Sequence, residues 1–147
     1  GVSSRQRSSS SHPAIMTTAQ ELGEFSEDRA ADYLLSLGWK ILSRNVRNQY
    51  GELDIIALDN RDKDNSELVI IEVRARTIGK IQSPADSIGS RKLHSLINSS
   101  RLFIEDNLNW PGFWRIDLVG ITITEKNHPD NWTLEHIRDI TSGMNFL

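Results

Sequence analysis

Two stretches of this chain are apolar enough for buried strands, and each is interrupted by charge where an uninterrupted run would bury best. Gly51-Glu52-Leu53-Asp54-Ile55-Ile56 is one, and Leu68-Val69-Ile70-Ile71 running directly into Glu72-Val73-Arg74-Ala75-Arg76 is the other. Alternate residues of a strand share a face. Glu72, Arg74 and Arg76 are therefore expected on one side of the second strand, with Val69, Ile71, Val73 and Ala75 on the other. An ionised carboxylate at Asp54 or Glu72, set among Leu, Ile and Val, needs a partner or a cation.

What surrounds these strands sets the fold class. Leu22, Phe25, Ala30, Tyr33, Leu34 and Leu37 recur at helical spacing within Ala19 to Leu37, with Glu24, Asp28 and Asp32 opposite, and Gly38 ends the helix. Trp39 to Val46 and an Asn-Gln-Tyr-Gly turn over Asn48 to Gly51 read as half of a hairpin. Glu52 to Leu58 and Leu68 to Arg76 are then antiparallel strands around a charged loop, Asp59 to Glu67. Ile88 to Leu108 is a second helix, with Leu93, Leu96, Ile97, Ser100 and Ile104 on one stripe and Arg91, Lys92 and Arg101 off it. Pro111 and Gly112 break the chain before a strand from Trp114 to Thr124, and Trp132 to Ile140 forms a final element of open type. This order gives an α/β layered domain, a mixed sheet flanked by helices.

The chain's 147 residues are enough for a single core. The Ser-rich first 15 residues, with two Arg and no apolar stretch, read as a disordered leader or a remnant of cloning, and the domain as Met16 to Leu147. No apolar run exceeds four residues, far short of the roughly 20 of a membrane span. The absence of Cys removes disulfides, thiol catalysis and Cys-based zinc sites, and is in keeping with a cytoplasmic protein. A net charge of −3 argues against coating nucleic acid by bulk charge, so a polyanion would need a local basic patch.

Two carboxylates on adjacent strands suit Mg²⁺ or Mn²⁺, which leave their other positions to water and phosphate oxygens. Asp54, Glu72 and the carbonyl of Val73 are the expected ligands. Such a metal lowers the pKa of bound water and neutralises charge on a phosphate, and a fixed cation at Arg74 would stabilise the transition state. The alternative is an ion network in which Asp54 and Glu72 pair with Arg74, Arg76 or Arg115. Glu27, about 20° round the first helix from Leu34, can look into the same site from the margin of the buried stripe. Arg44, Arg47, Arg76, Lys80, Arg91 and Lys92 are the candidate phosphate contacts. Asp62, Asp64 and Glu67 lack the pattern of a calcium loop, and the four His lack metal-ligand spacing.

Taken together, Gly23-x-x-x-Glu27-x-x-Ala30, Gly38, Arg44-Asn45, Gly51-Glu52-Leu53-Asp54, Glu72-Val73-Arg74-Ala75-Arg76, Ser90-Arg91-Lys92 and Arg115-Ile116-Asp117 resemble the YraN-like family of small bacterial proteins. That family is similar to archaeal Holliday-junction resolvases and the wider PD-(D/E)xK nucleases, and the resemblance runs from about Gly23 to Ile140. It implies a restriction-endonuclease-like three-layer domain and a metal-dependent endonuclease acting on DNA, possibly branched. Asp54 and Glu72 match the metal-binding acids, Glu27 the first-helix acid, and Arg74 stands where the motif has Lys. Arg stays protonated above about pH 12 and cannot act as a base, though it can stabilise charge on a phosphate. A non-catalytic DNA- or RNA-binding module on the same scaffold, and a structural protein that binds a partner, are the competing expectations. A second copy of the chain is a further candidate partner.

Overall fold

The computed structural model describes residues 18–62, 64–77, 88–125 and 128–141. Lys80 and the first 15 residues lie outside them.

The first helix, α1 (Ala19–Ser36), starts at a capping box: Thr18 Oγ1 accepts from the Glu21 N–H at 3.0 Å, and Glu21 Oε1 accepts from the Thr18 N–H at 3.1 Å. It ends where Gly38 takes φ +86°, with Gly38 N–H bonded to Leu35 O and Trp39 N–H to Leu34 O. That pairing absorbs the last free carbonyls and turns Trp39 back onto Leu34. The buried stripe is Ser26, Ala30, Ala31 and Leu34, whereas Phe25 is 41% exposed and stands edge-on to Trp132. Small residues at the centre of the stripe let the helix lie close to the sheet.

Five strands follow: β1 (Lys40–Asn48), β2 (Gly51–Asp59), β3 (Glu67–Thr77), β4 (Trp114–Ile123) and β5 (Thr133–Ile137), with α2 (Ser90–Phe103) between β3 and β4. The sheet order is β1-β2-β3-β4-β5; β3 and β4 are parallel and the other pairs antiparallel. This is the expected mixed sheet. α2 runs into a π-helical turn, Ile104–Leu108, which closes in a left-handed Asn109. The element left open by the sequence is β5, a five-residue edge strand whose exposed Thr133 and Glu135 alternate with half-buried Leu134 and His136, too short a run to settle its type.

α1 covers one face of the sheet, over Ile55, Ala57, Val69, Ile71, Val119 and Ile121. α2 covers the other, over Leu53, Ile56, Leu68, Ile70 and Ile116. The result is three layers, as expected. Among the described residues no helix is long and apolar enough to cross a membrane.

One irregularity positions the site. Strict alternation would put Leu53 and Ile55 on the same face, yet Leu53 packs with the α2 cluster and Ile55 with the α1 cluster. Opposite them, the register runs Arg44↔Ile55 and Val46↔Leu53, with Asn45 between at φ +55°. A left-handed residue in an antiparallel pair bends both strands. The β2–β3 ladder ends at Ile55↔Ile71, so β2 leaves β3 where Asp54 and Glu72 would otherwise have paired.

Candidate functional site

Asp54 lies in the opening between β2 and β3. Its Oδ2 accepts the Val73 N–H at 2.8 Å, replacing a lost ladder bond. A strand residue presents its N–H and C=O to the same neighbour, so the Val73 carbonyl faces the same opening. Glu72 reaches it from the α2 face, only 4% exposed.

The two carboxyl groups oppose each other electrically. Burial, then the Asp54 charge, then a hydrogen bond shared with Asp54 push the Glu72 carboxyl up to about 8. Lys92 and Arg74 offset this in part, with Lys92 Nζ at 3.6 Å and Arg74 Nε at 3.3 Å from Glu72 Oε2. The Arg74 contact is close but misaligned, and its buried Nε–H has no hydrogen-bond partner. Glu27, its side chain 18% exposed, is also raised, by burial and then by the Asp54 charge, against the pull of Arg44 and Asn45. Three acids thus converge electrostatically on the opening.

A divalent cation fits this donor set. Two carboxylates and one backbone carbonyl are hard oxygen ligands, and the like-charge repulsion at Glu72 is relieved by a cation. Among the described residues no group of three or more His, Asp or Glu side chains is placed to hold a metal by itself. Asp54, Glu72 and the Val73 carbonyl are thus the residues that could hold a cation, with its remaining positions left to ligands from outside the chain.

The expected basic residues separate into two sets. Arg91 is exposed and Lys92 half-buried in the first turn of α2, where Lys92 shares Glu72 with Arg74, while Arg76 donates to Thr122 Oγ1 at 3.3 Å. Cations in a first helical turn oppose the macrodipole, and this turn has no acid and no side-chain cap. That arrangement is poor for the helix and good for an anion. Arg44, by contrast, is engaged by α1, at 2.8 Å from Asp28 and 3.6 Å from Glu27. Arg47 is exposed, 3.6 Å from Glu52.

A second charge cluster occupies the α1 face nearer the other end of the strands. Fully buried Asp117 accepts from Arg115 Nε at 2.9 Å and the Asp139 N–H at 2.8 Å, and lies 2.8 Å from His136 Nε2. Burial alone would raise its carboxyl, but His136, Arg115 and the Asp139 N–H outweigh it and hold it below the usual range. Tyr33 Oη meets His136 Nδ1 at 2.9 Å. Arg115 also contacts Asp59 and Glu67, and Arg61, Arg115 and Arg138 lie 5.5–5.9 Å from the centre of the Trp39 ring. Arg115 is therefore spoken for, and of the ion network weighed for Asp54 and Glu72 only Arg74 takes part. The Arg115-Ile116-Asp117 motif marked this cluster in the sequence; the partners of Asp117 did not stand out, since His136 sits in the element whose type was open.

The sequence profile of the uncharacterised protein family UPF0102 matches residues 26–121. That span holds Glu27, Asp54, Glu72, Arg74, Lys92 and Asp117. Similar proteins are a UPF0102 protein of Dichelobacter nodosus, 36% identical over 115 residues (78% of this chain, 87% of that protein), and one of Sulfurihydrogenibium sp., 36% identical over 109 residues (74% and 90%). A UPF0102 protein of Mycobacterium tuberculosis is 35% identical over 123 residues (84% and 94%).

Proposed function

The chain belongs to the uncharacterised protein family UPF0102, the YraN family that its motifs resemble, and from that premise we propose that it is a divalent-metal-dependent endonuclease acting on DNA, with branched or otherwise structured DNA as the substrate class. The observation that carries this reading is the meeting of two carboxyl groups, buried Glu72 and half-buried Asp54, at a break in the sheet flanked by Arg74 and Lys92.

Asp54, Glu72 and the Val73 carbonyl would hold Mg²⁺ or Mn²⁺, which when bound supplies neutralisation of phosphate charge and a more acidic water. The chain's own residues do the rest. Asp54 is fixed by the Val73 N–H and so has a single orientation in the opening. Arg74, with its unpartnered Nε–H, presents a permanent cation to a phosphate oxygen, where charge-assisted bonding is strongest. Lys92, Arg91 and the start of α2 hold flanking phosphates without reading bases. Arg44 acts by fixing Glu27 to β1, so that the Glu27 carboxyl faces Asp54 from the α1 side.

A non-catalytic DNA- or RNA-binding module is favoured by one observation, the Arg at 74 where a base would serve. Cleavage of labelled linear, flapped and four-way DNA with Mg²⁺ and with Mn²⁺ separates the two. The nuclease reading expects cutting that Glu72→Gln abolishes and Arg74→Ala slows by on the order of 10²-fold, while Arg74→Lys retains it. DNA binding without cutting, in wild type and Arg74→Lys alike, would replace the enzyme by the module. In either case the double change Arg91→Glu, Lys92→Glu should abolish binding, and binding should fall steeply with salt.

A further inference from the structure

The hairpin that leads into the site ends in a two-residue loop, Gln49–Tyr50, closed by the pair Asn48↔Gly51. Tyr50 is 45% exposed, and among the described residues its side chain makes no hydrogen bond and no ring contact. An aromatic ring left open at a loop tip usually belongs to a mobile loop. This loop is anchored instead. Asn48 Oδ1 accepts the Tyr50 N–H at 3.0 Å, and Asn48 Nδ2 donates to Ser99 O of α2, also at 3.0 Å. Gly51 lies so close to α2 that a Cβ there would come within 3.2 Å of Ser99 Oγ. The ring is therefore carried on a fixed support, which lowers the entropy lost when it docks.

Its position relates it to the chemistry. Tyr50 lies in the turn just before β2, four residues from Asp54, a span of at most about 13 Å at strand rise, or up to roughly four nucleotides of duplex rise. Arg47, on the same hairpin, has a side chain 78% exposed, and its pairing with the exposed Glu52 at 3.6 Å is of the kind that contributes little. It is free to exchange Glu52 for a phosphate. A ring face can stack on a base only where that base is not already stacked on both sides.

We propose that Tyr50 stacks on an unpaired base while Arg47 takes the adjoining phosphate, so that the site accepts DNA with a single-stranded segment within about four nucleotides of the cut in preference to continuous duplex. This rests on reading the Asp54 and Glu72 site as acting on DNA.

The test is metal-free binding, in EDTA, of the full chain to a splayed-arm DNA carrying 2-aminopurine in its unpaired arm, and to a continuous duplex of the same length. The expected result is a preference of about tenfold or more for the splayed arm, with quenching of the probe on binding. Tyr50→Ala should remove both, Tyr50→Trp should keep both, and Arg47→Ala should lower the salt slope by about one on the splayed arm. Equal affinity for the two DNAs, or a preference unchanged in Tyr50→Ala, would overturn the stacking role while leaving the nuclease reading intact if duplex is still cut. Absence of binding and cutting with every DNA would overturn both. Tyr50 is exposed, so loss of folding in its variants is not expected, and a circular dichroism melt matching wild type verifies it.

Discussion

Glu72 and Asp117 sit on neighbouring parallel strands, one step apart in register and on opposite faces of the sheet, and each is buried. Their surroundings could hardly differ more. Asp117 has the Arg115 guanidinium, the His136 ring and a backbone N–H around it, and its carboxyl is held low in spite of burial. Glu72 has a second acid against it and two cations at 3.3 and 3.6 Å that are not aligned to bond it well, and burial with Asp54 drives its carboxyl up. Burial is common to both; the supply of donors is not. A buried acid whose donors come from the chain is part of the structure, whereas one left facing another acid lacks such donors and is where the proposed cation would act.

The comparison can be broken by removing each acid in turn. Asp117→Ala removes the buried acceptor shared by Arg115, His136 and the Asp139 N–H and should lower unfolding free energy in urea by about 3–5 kcal/mol; a loss under about 1 kcal/mol would mean that the cluster is not structural. Glu72→Gln should do the opposite. Its net upward shift says that the charged form is worse off in the fold than in water, so the metal-free variant at pH 7.5 should be more stable than wild type by about 1–3 kcal/mol. A destabilised variant would move Glu72 into the same class as Asp117.

The pH dependence sharpens the contrast with a smaller effect. Glu72, raised from 4.5 to about 8, contributes its stability in full below its unfolded value and loses it as pH rises through about 8. Asp117, lowered from 3.8, contributes above that value and loses its contribution as pH falls through its depressed folded value. The stability of wild type relative to Glu72→Gln should therefore decline between about pH 4.5 and 8 and level off beyond. Denaturant titrations of both proteins across that range read it directly, and a difference that rises with pH contradicts the assignment.

Much of this was legible in the sequence, for reasons that can be named. Helical periodicity, Gly38 and the turn at Asn48 to Gly51 define α1, β1 and β2, and alternation along β3 places Glu72 on the α2 face. Asp54 shows where pattern reading stops. Regular pairing would have set it opposite Glu72, but the ladder ends one residue earlier and the two acids meet across the opening instead. The break lies across β2 from Asn45 at φ +55°; Asn tolerates the left-handed region better than most residues, but a single Asn does not announce that it adopts it. Arg44 stands in a stretch with no acid until Glu52, and the sequence shows nothing of Asp28, 16 residues away on α1, which reaches it at 2.8 Å. Contacts between elements of that kind have no local signature.

If Asp54 and Glu72 hold a divalent cation, calorimetric titration of the DNA-free protein with Mn²⁺ will register it. One saturable site is expected in the wild type and none in Glu72→Gln or Asp54→Asn, although Glu72→Gln should be the more stable protein. Absence of saturable binding in the wild type, or binding undiminished in Glu72→Gln, would contradict it.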